Sequence, residues 1–176
     1  MKLRRTCMTS FAAVCVISIL PVQFAQAQTY KVLYSFTGAT DVGNPFGGVI
    51  QDAKGNLYGT ASAGGASGTG IVYSLNLAGK QTTLYSFKSS NDGSFPQAGV
   101  IRDASGNLYG TTRDGGASGD GTVFKVSKTG KEKVLYSFQG GADGMSPESG
   151  VIRDAEGNLY EPLLTAAPPA TERYSG

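Results

Sequence analysis

The sequence predicts an all-β, β-propeller-like tandem repeat of about 51 residues and four antiparallel strands per blade, forming an incomplete ring. Three observations predict it. Gly-Asn-Leu-Tyr begins at Gly55, Gly106 and Gly157; Tyr-Ser-Phe begins at Tyr34, Tyr85 and Tyr136; Pro45, Pro96 and Pro147 keep the same spacing. A fixed period of this length means one supersecondary unit copied in tandem. Within each copy, short runs of Val, Ile, Tyr, Phe and Thr alternate with polar residues between Gly and Asp turns, and nothing follows the helical period.

The chain opens with a different pattern. Lys2, Arg4 and Arg5 precede an apolar run from Phe11 to Leu20, and Ala25-Gln26-Ala27 has the small-x-small form of a cleavage site. Residues 1–27 therefore read as a secretory signal peptide cleaved near Ala27, which predicts a secreted, extracellular or cell-surface protein. The apolar run is shorter than the roughly 20 residues a spanning helix needs, so no membrane span is expected in the mature chain. Both cysteines, Cys7 and Cys15, lie in this segment, leaving the mature chain without a disulfide or a thiol nucleophile.

Cleavage also changes the charge. The whole chain carries 15 basic against 13 acidic residues; losing three basic ones leaves a slightly acidic remainder, which argues against a nucleic-acid partner. Histidine and tryptophan are absent. That removes imidazole acid–base chemistry, Ser-His-Asp triads and His-containing zinc sites. No cofactor and no metal are expected.

Residues 28–160 then divide by the period into a leading strand at 30–36, a blade at 45–87, a blade at 96–138 and a partial blade at 147–160. The second copy is the clearest. A strand over 98–104 is built around Val100 and Ile101, and Asp103-Ala-Ser-Gly106 turns the chain, Asp bonding nearby amides and Gly supplying positive φ. A second strand spans 107–112, a Gly-rich connection 114–121, a third strand 122–127, a tight turn 128–131 and a fourth strand 132–138. In the last, Val134, Tyr136 and Phe138 share a face by the two-residue period. Four short strands per repeat are the plan of a propeller blade. A β-solenoid coil is usually shorter, and a two-sheet sandwich rarely has an internal period.

Leu84-Tyr-Ser-Phe87, Asp92-Gly93, Pro96, Gly99-Val-Ile101, Asp103, Gly106-Asn-Leu-Tyr-Gly-Thr-Thr112, Gly115-Gly116 and Gly119 to Phe124 resemble the Gloeobacter/Verrucomicrobia ("GloVer") tandem repeat of exported bacterial proteins. The resemblance covers Tyr30 to Tyr160. It implies an extracellular repeat protein, often with a surface-anchoring tail, and no assigned catalytic activity. The chain departs from the pattern in having few repeats and no recognisable C-terminal sorting helix.

After Tyr160 the repeat stops. Residues 161–176 are rich in Ala and Pro, and read as a disordered or a frameshifted tail. With synonymous codons chosen for Tyr160 to Ser175, one inserted nucleotide converts the segment to Tyr-Gly-Thr-Thr-Pro-Tyr followed by Gly-Gly-Ala-Ser-Gly-Asp-Gly-Thr-Val-Phe, the string of Gly115 to Phe124. The expectation is a truncated propeller whose open strand edges invite self-association.

The candidate sites are few. Asp52, Asp103 and Asp154 form a carboxylate set, but the Asp-x-x-Gly spacing is itself turn chemistry. Tyr34, Phe36, Tyr85, Phe87, Tyr136 and Phe138 alternate as core aromatics rather than as platforms for sugars. Asp114 and Asp120 flank a Gly-rich loop that offers two carboxylates where calcium takes about six to eight oxygens. The same loop lacks the Lys-Ser/Thr ending of a phosphate loop. Arg102 and Arg153 share a repeat position held by Gln51 in the first copy. Arg102, Arg153, Asp114 and Asp120 are thus the leads for ligand binding, and no catalytic residue is assigned. The function expected is an exported, non-catalytic binding or structural module, its partner a glycan or a surface protein. The alternatives are a propeller-based extracellular hydrolase or lyase acting on carbohydrate, and a non-functional frameshifted fragment.

Overall fold

The computed structural model describes residues 29–38 and 43–162, together with the backbone of 172–175. The chain divides into two units, Met1–Lys31 and Val32–Gly176, and all the sheets lie in the second. The signal peptide expected over residues 1–27 falls outside the described residues.

Three antiparallel sheets follow one another along the chain. The first contains β1 (Ile50–Gln51), β2 (Leu57–Ala61), β3 (Ile71–Leu75) and β4 (Gln81–Ser86) in that order. The second repeats it with β5 (Ile101–Arg102), β6 (Leu108–Thr112), β7 (Thr122–Val126) and β8 (Glu132–Ser137). The third contains β9 (Ile152–Arg153), β10 (Asn158–Glu161) and β11 (Glu172–Ser175), with β10 in the middle. One 3-10 turn at Gly141–Asp143 is the only helical element among the described residues.

Local chemistry explains the sheet edges and turns. At each first hairpin the Gly N–H donates to the Asp carbonyl, as Gly55 does to Asp52 at 3.0 Å and Gly106 to Asp103 at 3.0 Å. Gly106 sits at φ +88°, where a side chain would be strained. The pairing is copied residue for residue: Leu57 faces Leu75 and Leu108 faces Val126. Even the irregularity repeats, a shift between Val72 and Tyr73 in β3 and between Val123 and Phe124 in β7. The shift leaves one extra residue in the fourth strand, Leu84 or Leu135, so Tyr136 sits opposite Val123 and Val134 opposite Phe124, on opposite faces rather than on the one face expected from alternation.

That reorientation matters because the cores lie between sheets. Val72 and Phe87 of the first sheet's segment pack against Val100, Leu108, Phe124 and Val126 of the second. One period on, Val123 and Phe138 pack with Val151 and Leu159 of the third. Ring contacts join them: Phe87 meets Phe124 edge-on at 5.1 Å. Burying one such ring is worth about 1.5–3 kcal/mol by area removed from water. Hydrogen bonds tie the same interfaces, Thr60 Oγ1 donating to the Ala98 carbonyl at 2.6 Å and Thr111 Oγ1 to Ser149 at 2.8 Å.

Glycine permits the close approach. A Cβ on Gly99 would stand 2.5 Å from the Gly48 carbonyl oxygen, and one on Gly110 would stand 2.8 Å from Phe124 Cζ. β5 has two ladder residues, shorter than the strand expected over 98–104.

Two sequence expectations are corrected. The segment expected as a leading strand at 30–36 belongs to none of the three sheets, although Phe36 reaches Tyr73 edge-on at 5.3 Å. A fourth-type strand pairs with the third-type strand of its own sheet, and no such strand precedes it among the described residues. The tail, in turn, is not strandless: its last part forms β11 and pairs with β10, Leu159 opposite Tyr174. Leu108 faces a residue three positions farther along, so β11 joins with a shorter connection than the repeat uses.

Candidate functional site

Each Asp-x-x-Gly-Asn-Leu-Tyr stretch builds the same closed network. The Asp103 carboxylate accepts from the Asn107 backbone N–H at 2.8 Å, from the Asn107 side-chain amide at 2.7 Å and from the Tyr109 hydroxyl at 3.0 Å. Asp52 makes the same bonds with Asn56 and Tyr58, and Asp154 with Asn158 and Tyr160. The Asn side-chain bond, against some desolvation, holds Asp52 and Asp154 down at about 2. With both oxygens occupied and the charge stabilised, these carboxylates are turn caps, as the spacing suggests.

A second Asp–Tyr pair closes the other end of each repeat. The Tyr85 hydroxyl donates to Asp92 at 2.6 Å, and Asp92 also accepts from the Lys88 and Ser90 amides. Burial and then the Asp92 hydrogen bond push the Tyr85 phenol well up. Tyr136 and Asp143 repeat the pair. The recurring Tyr-Ser-Phe followed by Asp-Gly was the sequence signal for this contact.

The successive sheets leave a crevice beside each first hairpin. Between the first and second sheets it is lined by Tyr58, Ser74, Arg102 and Lys128, with a volume of about 120 Å³. Between the second and third it is larger, about 290 Å³, and lined by Asp103, Tyr109, Lys125, Arg153, Glu156 and Asn158. Arg102 lies over the Tyr58 ring at 5.5 Å, and Arg153 over Tyr109 at 5.7 Å. Each arginine thus bridges to the tyrosine of the preceding sheet, a contact worth about 0.5–1 kcal/mol where exposed. Gln51, at the same repeat position, instead reaches the Gly55 carbonyl at 3.4 Å.

Lys125 is the residue that the sequence reading missed. It stands where the first repeat has Ser74, and its ammonium lies 5.5 Å from the Tyr109 ring centre. Two cations therefore face one aromatic ring. Among the described residues the only ion pair is Arg113 with Asp114 at 3.8 Å, so neither Lys125 nor Arg153 is neutralised by a carboxylate there. The departure from serine to lysine inside an otherwise copied strand was the available signal.

Asp114 and Asp120 are not brought to this crevice. The Asp114 carbonyl accepts from Ser94 at 2.7 Å, and the Asp120 carbonyl from Ser146 at 2.8 Å. Thr69, the first-repeat counterpart of Asp120, does the same for Phe95 at 2.8 Å, and its buried hydroxyl also donates to the Phe87 carbonyl at 2.8 Å. Among the described residues no three acidic, His or Cys side chains cluster to hold a metal.

Glu161 stands apart. It is 1 % exposed, both carboxylate oxygens lack a hydrogen-bond partner, and burial pushes it up to about 8. The period puts it where Gly59 and Gly110 stand, each pressed against an aromatic ring of its own sheet.

A family model for the Gloeobacter/Verrucomicrobia repeat matches residues 19–162. No curated protein matches the chain.

Proposed function

Because the chain belongs to the Gloeobacter/Verrucomicrobia repeat family, we propose that it is an exported, non-catalytic binding or structural module whose sheets are stacked as propeller blades. The observation that carries this reading is the closed Asp–Asn–Tyr network at every first hairpin. The carboxylates repeated at the first hairpins, Asp52, Asp103 and Asp154, are engaged in holding the turns, and the crevice lined by Lys125 and Arg153 offers open polar chemistry. Two cationic donors, the exposed Ser105 hydroxyl and the exposed Glu156 carboxylate suit a polar, hydroxyl-rich ligand such as a glycan. Export rests on the basic, apolar and small-x-small order of residues 1–27.

The test is a glycan-array and cell-surface binding assay with the purified chain and with Lys125→Ser, which installs the residue of the preceding repeat. Loss of binding with unchanged thermal unfolding supports the crevice as the site. Undiminished binding by a Lys125→Ser, Arg153→Gln double variant sinks it.

A second reading, a reading frame displaced after Tyr160, is favoured by what the third sheet lacks. Glu161 occupies a glycine position, and Pro162 stands where Thr60 and Thr111 make their cross-sheet bonds. The shifted string supplies glycine at 161, threonine at 162 and phenylalanine at 175, one period after Phe124. Sequencing the DNA across these codons decides it: codons that cannot encode the shifted string rule the displacement out.

A further inference from the structure

We propose that the outer face of the third sheet docks the outer face of the first sheet of a second copy of this chain, head to tail, reproducing the interface that joins its own sheets. The internal interfaces define what such a junction contains. From the earlier sheet comes an Ile and a Tyr of the first hairpin, Ile50 with Tyr58 and then Ile101 with Tyr109; from the later sheet comes a Val and a Leu, Val100 with Leu108 and then Val151 with Leu159. In both cases the Val is 3 % exposed.

The two free faces carry the two halves of this set. On the third sheet Ile152 is 68 % exposed and, with Gly150, Tyr160, Pro162 and the otherwise buried Glu161, lines a mainly apolar cavity of about 280 Å³. On the first sheet Val49 is 50 % exposed, and Leu57 beside it is less buried than Leu108 or Leu159. Continuity with the internal interface therefore names the occupant: the Val49–Leu57 face of another copy, its Gly48 approaching Gly150 as Gly99 approaches Gly48 within the chain. The segment 32–37 of that copy travels with its first sheet, since Phe36 packs on Tyr73, and repeats the Tyr-Ser-Phe of β4 and β8 that the third sheet does not possess.

The contact is heterologous, so two junctions between two copies would close a set of six sheets, within the range of about four to eight in closed propellers. It is also weaker than the internal ones. Pro162 cannot donate the threonine bond, and Gln51 replaces the arginine that would lie over Tyr160. This goes beyond the binding-module reading and holds whether or not the crevice takes a ligand.

Sedimentation velocity of the purified chain across a concentration series tests it. Mass rising from one to two copies is expected, and a single-copy species at every concentration overturns the proposal. Val49→Asp and Ile152→Asp should each weaken association at least about ten-fold, because each places a charge in an apolar junction. Mixing the two variants should restore pairing, since Val49→Asp keeps a sound third-sheet face and Ile152→Asp a sound first-sheet face. Rescue also shows that both variants are folded. Association of either single variant like wild type, or a mixture no better than its parts, overturns the proposal.

Discussion

Replacing Glu161 by Gln should flatten the alkaline side of the chain's stability profile. The carboxylate is buried without a partner, and its ordinary value of 4.5 is raised to about 8 by that burial. A raised value means that the folded state keeps the proton while the unfolded chain has lost it. The folded state is therefore unaffected below about pH 4.5, loses stability progressively as pH rises toward 8, and loses no more above it. At about 1.4 kcal/mol for each pH unit over this interval, the full cost is roughly 5 kcal/mol. That is comparable with the whole stability of a small domain. Urea unfolding followed by circular dichroism at pH 5 and pH 9 reads the effect. Wild type and Glu161→Gln should agree within about 1 kcal/mol at pH 5 and differ by several kcal/mol at pH 9, the variant being the more stable. Glu132, raised to about 7 by burial and by Asp92, tilts both profiles the same way and cancels in the difference. Parallel curves for the two proteins would refute the reasoning.

Three further outcomes follow from the repeated interface. Gly110→Ala should lower stability by about 1–3 kcal/mol in the same urea assay, because its Cβ would meet Phe124 Cζ at 2.8 Å and Val100 Cγ1 at 3.3 Å. Phe87→Ala should cost about 3–5 kcal/mol, and a double-mutant cycle with Phe124→Ala should give a coupling of about 0.5–1.5 kcal/mol; additive losses would mean the edge-on contact contributes nothing beyond area. On the acid side, Asp52 and Asp154 are held at about 2, so their stabilisation is present above their ordinary 3.8 and disappears as pH falls toward 2. Acid titration of Asp52→Asn by circular dichroism should show a shallower loss than wild type.

What the sequence made legible was local. Asp-x-x-Gly fixed the first hairpins because the carboxylate and the positive-φ glycine act within four residues, and the strands at 108–112 and 122–126 follow from short runs of β-favouring residues between those turns. What it did not make legible depends on contacts between sheets. Nothing in Arg102 announces that it lies over Tyr58, since that contact requires knowing which face meets which. Gly110 reads as a weak strand residue until Phe124 is seen against it. The same blindness hid β11: four backbone residues pair with β10 although their sequence has no repeat pattern, because an open edge supplies hydrogen bonds to any extended segment within reach.

Repetition constrains where a specific function can sit. A residue copied at every period is copied because each interface needs it: Val100 and Val151, Leu108 and Leu159, Thr60 and Thr111 all serve one junction apiece. Altering such a position damages packing before it tunes recognition. Specificity must then reside where copies differ without loss of packing and where the differing side chain still reaches a cavity. Thr69 and Asp120 differ between copies but fail the second condition, since neither side chain lines an inter-sheet crevice: both carbonyls serve the next segment, and the Thr69 hydroxyl is turned to the Phe87 carbonyl. Ser74 and Lys125 meet both. Their strand positions are equivalent, and each lines the crevice of its own interface. If the second crevice binds a ligand as proposed, exchanging them, Ser74→Lys in one repeat and Lys125→Ser in the other, should move that binding to the first crevice with little change in unfolding. Retention of the original site in that exchanged protein would show that recognition lies outside the inter-sheet crevices.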